Sequence, residues 1–271
     1  MIKTELYKRF FEQVHRLDPH VQVSRPKEGY AGAHARIPSD VQSILDVGCG
    51  NGDFLNHLPD SYQKIGLDFC AEPLKLVRSP AVIGRIDALP FDSFQFDLVT
   101  CFELLEHLSY YEFPQALSEL ERVSQRYIMI SVPNREPLHQ CLVSCSQCYC
   151  LYNPSWHVRS FDESSLHFIF RTFRLIECKR CGPETRSHDS KLVSLYRWWN
   201  PRRPPSVAVC PQCGYSKGSE TNPCKVASSN GIMQEGTSRG FIQLILRNLV
   251  ETLLIRYERR PYWLIALYER F

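Results

Sequence analysis

The stretch Ile44-Leu45-Asp46-Val47-Gly48-Cys49-Gly50-Asn51-Gly52-Asp53 decides how the rest of the chain is read. An apolar run ends in three glycines spaced G-x-G-x-G. Glycine at such a turn lets the backbone reverse sharply and lets a ligand approach it closely. A dinucleotide-binding turn has the spacing G-x-G-x-x-G. Here the place of its third glycine is taken by Asp53.

Composition sets the outer bounds. The chain has 271 residues, suited to one elaborated domain or a domain with an insertion. A hydrophobic content of 44% is enough for a packed core, and a net charge of +3 is too small to imply nucleic acid by itself. No stretch has the length of about 18 uncharged apolar residues that a membrane span needs. Residues 1–17 carry Lys3, Glu5, Lys8, Arg9 and Glu12, with Leu6, Phe10, Val14 and Leu17 at helical spacing. That pattern predicts an amphipathic helix and not a signal peptide. The expected location is therefore cytoplasmic, and in a reducing compartment C-x-x-C pairs among the 12 cysteines point to metal.

The glycine turn has companions downstream, in order. Gln63-Lys64-Ile65-Gly66-Leu67-Asp68 reads as a second strand ending in an acid, with room before it for one helix over about residues 53–58. A carboxylate there can accept from two vicinal hydroxyls. Ala81-Val82-Ile83-Gly84-Arg85-Ile86-Asp87-Ala88-Leu89-Pro90-Phe91 reads as a third strand and a tight turn, although Asp87 would also suit a helix N-cap. Phe96-Asp97-Leu98-Val99-Thr100-Cys101 is a fourth strand running into Phe102-Glu103-Leu104-Leu105-Glu106-His107-Leu108. A helix follows near Pro114. Tyr127 to Asn134 is a near-continuously apolar fifth strand of the kind found in sheets covered on both faces. Ser160-Phe161-Asp162-Glu163 reads as a capping box. Phe173 to Cys178 is a sixth strand, and Tyr262 to Tyr268 the last.

These motifs together resemble the class I, Rossmann-like S-adenosylmethionine-dependent methyltransferases, type 11-like. The resemblance covers about residues 38–181 plus the final strand. It implies an α/β fold with a mostly parallel seven-stranded sheet and helices on both faces. It further implies that Asp46, Gly48, Cys49, Gly50, Asn51, Gly52, Asp68, Phe69, Asp87, Ala88 and Phe102 bind the cofactor. Asp68 would hold the ribose hydroxyls, Asp87 would accept from the adenine amino group, and Ala88 would pack on the ring. The sulfonium is already a strong electrophile, so alignment and water exclusion suffice. No nucleophilic triad is present in the sequence.

Two segments lie outside the bare fold. One is about residues 135–159. The other is residues 182–260, which separates the core at 38–181 from the last strand at 261–271; residues 1–37 form an N-terminal helical segment. Each insertion carries one knuckle, Cys145-Ser146-Gln147-Cys148 and Cys210-Pro211-Gln212-Cys213-Gly214. Cys145, Cys148, Cys210 and Cys213 are the expected ligands of a structural zinc, provided the fold brings the two segments together to form a cap. Cys150 or Cys224 could replace one ligand. Cys178 and Cys181 are also spaced C-x-x-C, but Cys178 lies in an expected strand, where a knuckle turn does not form, and Cys101 and Cys141 read as buried small hydrophobes.

Glu103, Glu106 and His107 would share one face of a helical turn. They are the candidate catalytic residues, with His107 as a general base. With His157 they could instead hold a divalent metal, as in the small-RNA 2′-O-methyltransferases, whose E-x-x-E-H arrangement this resembles. The quinone-biosynthesis O-methyltransferases are similar in the same loop. The expected acceptor is a small molecule, a lipid-linked molecule or a sugar; the alternative is RNA, and a third reading is a non-catalytic cofactor-binding module. Arg197-Trp198-Trp199-Asn200-Pro201-Arg202-Arg203-Pro204-Pro205, with Arg186, could stack on bases or sugars, or form a helix end with a stiff linker. Residues 216–239 read as a mobile loop. Residues 239–260 read as a helix whose wide apolar stripe packs on a core, lines a greasy substrate site or lies on a membrane surface.

Overall fold

The structure is a computed structural model that describes residues 32–187, 204–205, 208–216 and 258–271. Parallel strands β1 (Ser43–Val47), β2 (Gln63–Asp68), β3 (Ala81–Ile83), β4 (Phe96–Phe102) and β5 (Ser124–Pro133) form most of one sheet. Two later strands, β8 (Phe173–Ser187) and β9 (Glu258–Arg270), complete it in the order β3-β2-β1-β4-β5-β9-β8. Strand β9 is antiparallel to both of its neighbours. A separate two-stranded ribbon, β6 (Val143–Ser144) with β7 (Leu151–Tyr152), lies in the segment after β5.

The apolar runs are long because both faces of the sheet are covered. Successive side chains point to opposite faces. On one face Leu45, Val47, Val99, Cys101, Ile128, Ile130, Leu264 and Ala266 share a core with Ala116, Leu120 and Val123 of helix α3 (Glu112–Val123). Leu166 of the short helix α4 (Glu163–Leu166) joins that core. On the other face Ile44, Leu98, Tyr127, Met129, Ile265 and Leu267 pack with Phe54 and Leu55 of α1 (Asp53–Asn56). Another short helix, α2 (Ala71–Leu74), follows β2. Among the described residues no helix is long and apolar enough to cross a membrane.

Several expectations move. The capping box is formed by Asp162 and Ser165, not by Ser160 and Glu163: the Asp162 carboxylate accepts from Ser165 N, and the Ser165 hydroxyl accepts from Asp162 N. The sixth strand runs on to Ser187 and the last begins at Glu258, so residues 184–187 pair with 258–261 in the sheet, within the segment expected as insertion. Residues 258–260, expected at the end of a helix over 239–260, are strand; the rest of that helix lies outside the described residues. Asp87 caps no helix; it sits in a turn bracketed by the Arg85–Ala88 bridge. Residues 1–31, Cys224, residues 217–257 and most of the arginine–tryptophan stretch lie outside the described residues.

Candidate functional site

The strand order reverses between β1 and β4, and ligands of open α/β sheets bind beyond the carboxyl ends of the strands at such a point. There Gly48, Gly50 and Gly52 all have positive φ, at 78°, 54° and 75°. A Cβ on Gly48 would stand 2.7 Å from Leu104 Cδ2, which ties the turn to the loop after β4. The N–H groups of Gly48 and Cys49 donate to the carbonyl of Leu67 at 2.7 and 3.1 Å. Asp68 braces the same turn: its two oxygens accept from Gly50 N at 3.0 Å and Cys70 N at 2.8 Å.

The acids here are held against their ordinary ionisation. Burial pushes Asp46 up to about 7; the Thr100 hydroxyl, donating at 2.7 Å, pulls the other way and Asp68 adds to the rise. Burial also raises Asp68, against the backbone donors of Cys70 and Gly50. Asp68 accepts from the backbone of Cys70, Gly50 and Phe69, and a carboxylate's two oxygens have lone pairs beyond these three bonds, so a ribose hydroxyl fits. Asp87 is placed differently. Both of its oxygens accept from Arg85 at 2.8 Å, and this pairing lowers its pKa. Asn51 accepts from Asp53 N at 3.2 Å and shapes the entry to α1. Phe102 is buried at the end of β4, Phe69 follows Asp68 half-buried, and Ala88 is exposed.

The loop after β4 separates the two glutamates. Glu103 has φ 51° and precedes the 3₁₀ turn Leu105–His107, so the expected shared helical face does not form. Its carboxylate accepts from the Ser131 hydroxyl at 2.9 Å. Glu106 and His107 are instead joined by His157. One ligand atom from each of these three buried residues lies within 4.8 Å of the others, a grouping that could hold a metal ion and that excludes Glu103. His157 Nε2 and His107 Nε2 stand 3.9 and 4.0 Å from Glu106 Oε1. The two imidazoles meet edge to face, with centroids 4.6 Å apart. His157 Nδ1 bonds the Glu136 carboxylate, which fixes which nitrogen faces Glu106.

The four cysteines of the two knuckles come together. Cys145 and Cys213 Sγ are 3.7 Å apart, and Cys148 and Cys210 Sγ are 3.6 Å apart. A zinc–sulfur bond of about 2.3 Å in a tetrahedron gives edges of about 3.8 Å, so the cage fits that ion. The knuckles share one turn design. Tyr149 N donates to the Cys145 carbonyl at 3.1 Å and Gly214 N to the Cys210 carbonyl at 2.9 Å. Tyr149 and Gly214 take matching left-handed φ values of 60° and 70°. Burial raises the Cys145 thiol, but the Cys148 and Gln147 N–H groups and two neighbouring thiols bring it down to about 7. Cys210 and Cys213 are pushed up to about 12, by burial first. The four cannot all ionise without a cation between them. Cys150 Sγ is a further neighbour, 3.8 Å from Cys210. Cys178 lies in β8, as expected, and so does Cys181; Cys101 is fully buried.

Two positions escaped sequence reasoning. Glu136 follows β5 with no motif to mark it, yet its carboxylate takes His157 Nδ1 on one oxygen and Asn153 Nδ2, at 3.2 Å, on the other. Trp156 has φ 59°, a backbone state that costs a bulky residue about 1–3 kcal/mol. Its ring is buried in a small core with Val143, Cys145, Tyr152, Ala208, Val209 and Cys210.

Residues 45–126 match the family described as a methyltransferase domain. An uncharacterized protein of Methanocaldococcus jannaschii is 34% identical over 99 residues, covering 35% of this chain and 42% of that protein. A ubiquinone biosynthesis O-methyltransferase of Nitrosospira multiformis is 26% identical over 149 residues, covering 49% of this chain and 59% of that protein. The chain thus spans about half the length of these curated relatives. A SAM-dependent methyltransferase of Thermotoga maritima, 12% identical, shares the fold over 98% of this chain and 99% of its own, with a TM-score of 0.51. Residues 45–126, with the glycine turn at the reversal of the seven-stranded sheet, are thus similar to a methyltransferase domain.

Proposed function

We propose that this chain transfers a methyl group from S-adenosylmethionine to a hydroxyl oxygen of a small-molecule, lipid-linked or sugar acceptor. The observation that carries the reading is the buried Glu106–His107–His157 cluster, two of whose members closely follow Leu104, the residue packed against Gly48 of the glycine turn. When bound, the cofactor supplies an electrophilic methyl on its sulfonium. Asp68 and the turn of Gly48, Gly50 and Gly52 would hold it, with Asp46, bonded to Thr100, at the end of the strand before the turn and Asp87 available once its carboxylate shares Arg85. In this reading His107 would take the proton of the acceptor hydroxyl, and Glu106, 4.0 Å from its Nε2, would stabilise the resulting imidazolium. Glu103 is instead bonded to Ser131 and takes no part in this step. The likeness to an O-methyltransferase supports oxygen as the acceptor atom.

A second reading has the same residues hold a divalent ion. One carboxylate and two imidazoles are a recurrent metal-binding set, and a second carboxylate on His157 Nδ1 is its usual support. Such an ion would acidify an acceptor hydroxyl, and ribose 2′-hydroxyls of RNA become the favoured acceptor. Zinc at Cys145, Cys148, Cys210 and Cys213 is part of both readings and clamps the two segments together, since four thiolates leave no open position for chemistry.

The test uses cofactor with a labelled methyl group, the purified chain and fractionated cell extract, with and without chelator. Label in the small-molecule or lipid pool that survives chelator supports the first reading. Label in nuclease-sensitive RNA that is lost with chelator supports the second. Cofactor binding with no labelled pool would point to an interaction module without turnover.

A further inference from the structure

We propose that the four-cysteine cage sets the position of His157, and that Trp156 is the positioning residue linking the two. The inference rests on the reading of His157 as part of the acceptor site. Its basis is a continuous set of contacts. The indole Nε1 of Trp156 donates to the carbonyl of Val209 at 2.8 Å, with both groups buried. Val209 directly precedes the cage residue Cys210, and both are fully buried. Trp156 thereby anchors the first cysteine segment to the second, and the next residue in the chain is His157.

The conformation at this junction needs outside support. Trp156 lies in the left-handed region, which a side chain of this size rarely adopts. Such a state persists only where the surroundings over-determine it. Here the surroundings are the cysteine core around the ring, the Val209 carbonyl and the Asn153 carbonyl, which accepts from Trp156 N at 2.9 Å. Asn153 also donates to the Glu136 carboxylate whose other oxygen holds His157. On the far side Val158 N donates to the Glu106 carbonyl at 2.9 Å. His157 is therefore held between a strained turn fastened to the cage and the loop that carries Glu106 and His107. When the cage loses its ion, the thiols repel or rotate, Val209 shifts, and the turn at Trp156 is released.

The experiment compares wild type, zinc-stripped wild type and Trp156→Phe, which keeps an aromatic ring in the core but removes the indole donor. Zinc content is measured by metal analysis, His157 accessibility by diethyl pyrocarbonate labelling with peptide mapping, cofactor binding by calorimetry, and kcat and KM by methyl transfer. Trp156→Phe is expected to keep its zinc and its cofactor affinity, to label at His157 at least tenfold faster, and to lose kcat with the cofactor KM unchanged. Zinc-stripped protein is expected to label at His157 in the same way, while His34, on the other face of the sheet, is unchanged. Unaltered protection of His157 in both samples would overturn the proposal. Full turnover in His157→Ala would instead remove the acceptor-site reading, and the labelling result would still decide the link between cage and histidine.

Discussion

His157 and Glu106 face each other across two loops that the chain brings together from β4 and from beyond β5. His157 Nε2 lies 3.9 Å from Glu106 Oε1, and the next residue, Val158, donates its N–H to the Glu106 carbonyl. Both side chains are buried. The pair distinguishes Glu106 from Glu103, although the two differ by less than one helical turn in sequence. Glu106→Gln is expected to lower kcat by about 10²-fold or more, the scale of a lost general acid–base group. Glu103→Gln, which still accepts from Ser131, is expected to keep most of its activity. Equal losses in a steady-state methyl-transfer assay would contradict this assignment.

Glu136 orients His157 through Nδ1. Supports of this kind cost about 10–100-fold in activity or metal affinity when removed. Glu136→Gln is expected to fall in that range with cofactor affinity unchanged. Turnover measured alongside calorimetric cofactor titration separates that outcome from general misfolding, which would reduce both.

The cage predicts a specific pattern of metal loss. Protein purified without chelator should contain one zinc per chain. Cys210→Ser should lose it, whereas Cys178→Ser, altered in the strand pair β8–β9, should retain it. Absence of zinc from the wild type by metal analysis would refute the cage as a zinc site.

Asp46 makes stability depend on pH with an unusual sign. Its folded pKa of about 7 lies above the ordinary value of 3.8. Between these values the folded chain keeps a proton that the unfolded chain has released, so stability falls as pH rises from about 4 to about 7 and levels off beyond. The full difference is about 4 kcal/mol at about 1.4 kcal/mol per unit, an upper value for this group. Asp46→Asn should flatten this part of the profile in urea unfolding followed across that pH range. A wild-type profile that rises with pH and is unchanged by Asp46→Asn would exclude the effect.

Gly182 tests the edge of the sheet. It has φ 87°, and a Cβ there would lie 2.0 Å from Trp263 Cε3 on the paired strand. Gly182→Ala is expected to destabilise by about 1–3 kcal/mol, the cost of overpacking a filled site. The midpoint of urea unfolding measures it directly.

Much of the fold was legible because it depends on local rules. The run from Ile44 to Asp53, the acid-terminated strand at Asp68 and the continuous apolar strands at β4 and β5 follow from side-chain period and turn chemistry. The C-x-x-C pairs likewise announce a thiolate cage, because each knuckle is a local turn. What local rules cannot supply is which distant segments meet. The helical period placed Glu103 with Glu106 and His107, but the chain leaves β4 through a left-handed residue at Glu103, and the partnership passes to His157. Glu136 and Trp156 carried no signal because each acts through a contact with a remote part of the chain. The Asp162–Ser165 box, in place of Ser160–Glu163, was decided by where Phe161 had to be buried. Thus sequence alone determined the sheet, the glycine turn and the two cysteine pairs that meet. Tertiary structure alone decided the Glu106–His107–His157 grouping and the Trp156–Val209 bond beside the cysteines, because both depend on long-range packing that no residue pattern encodes.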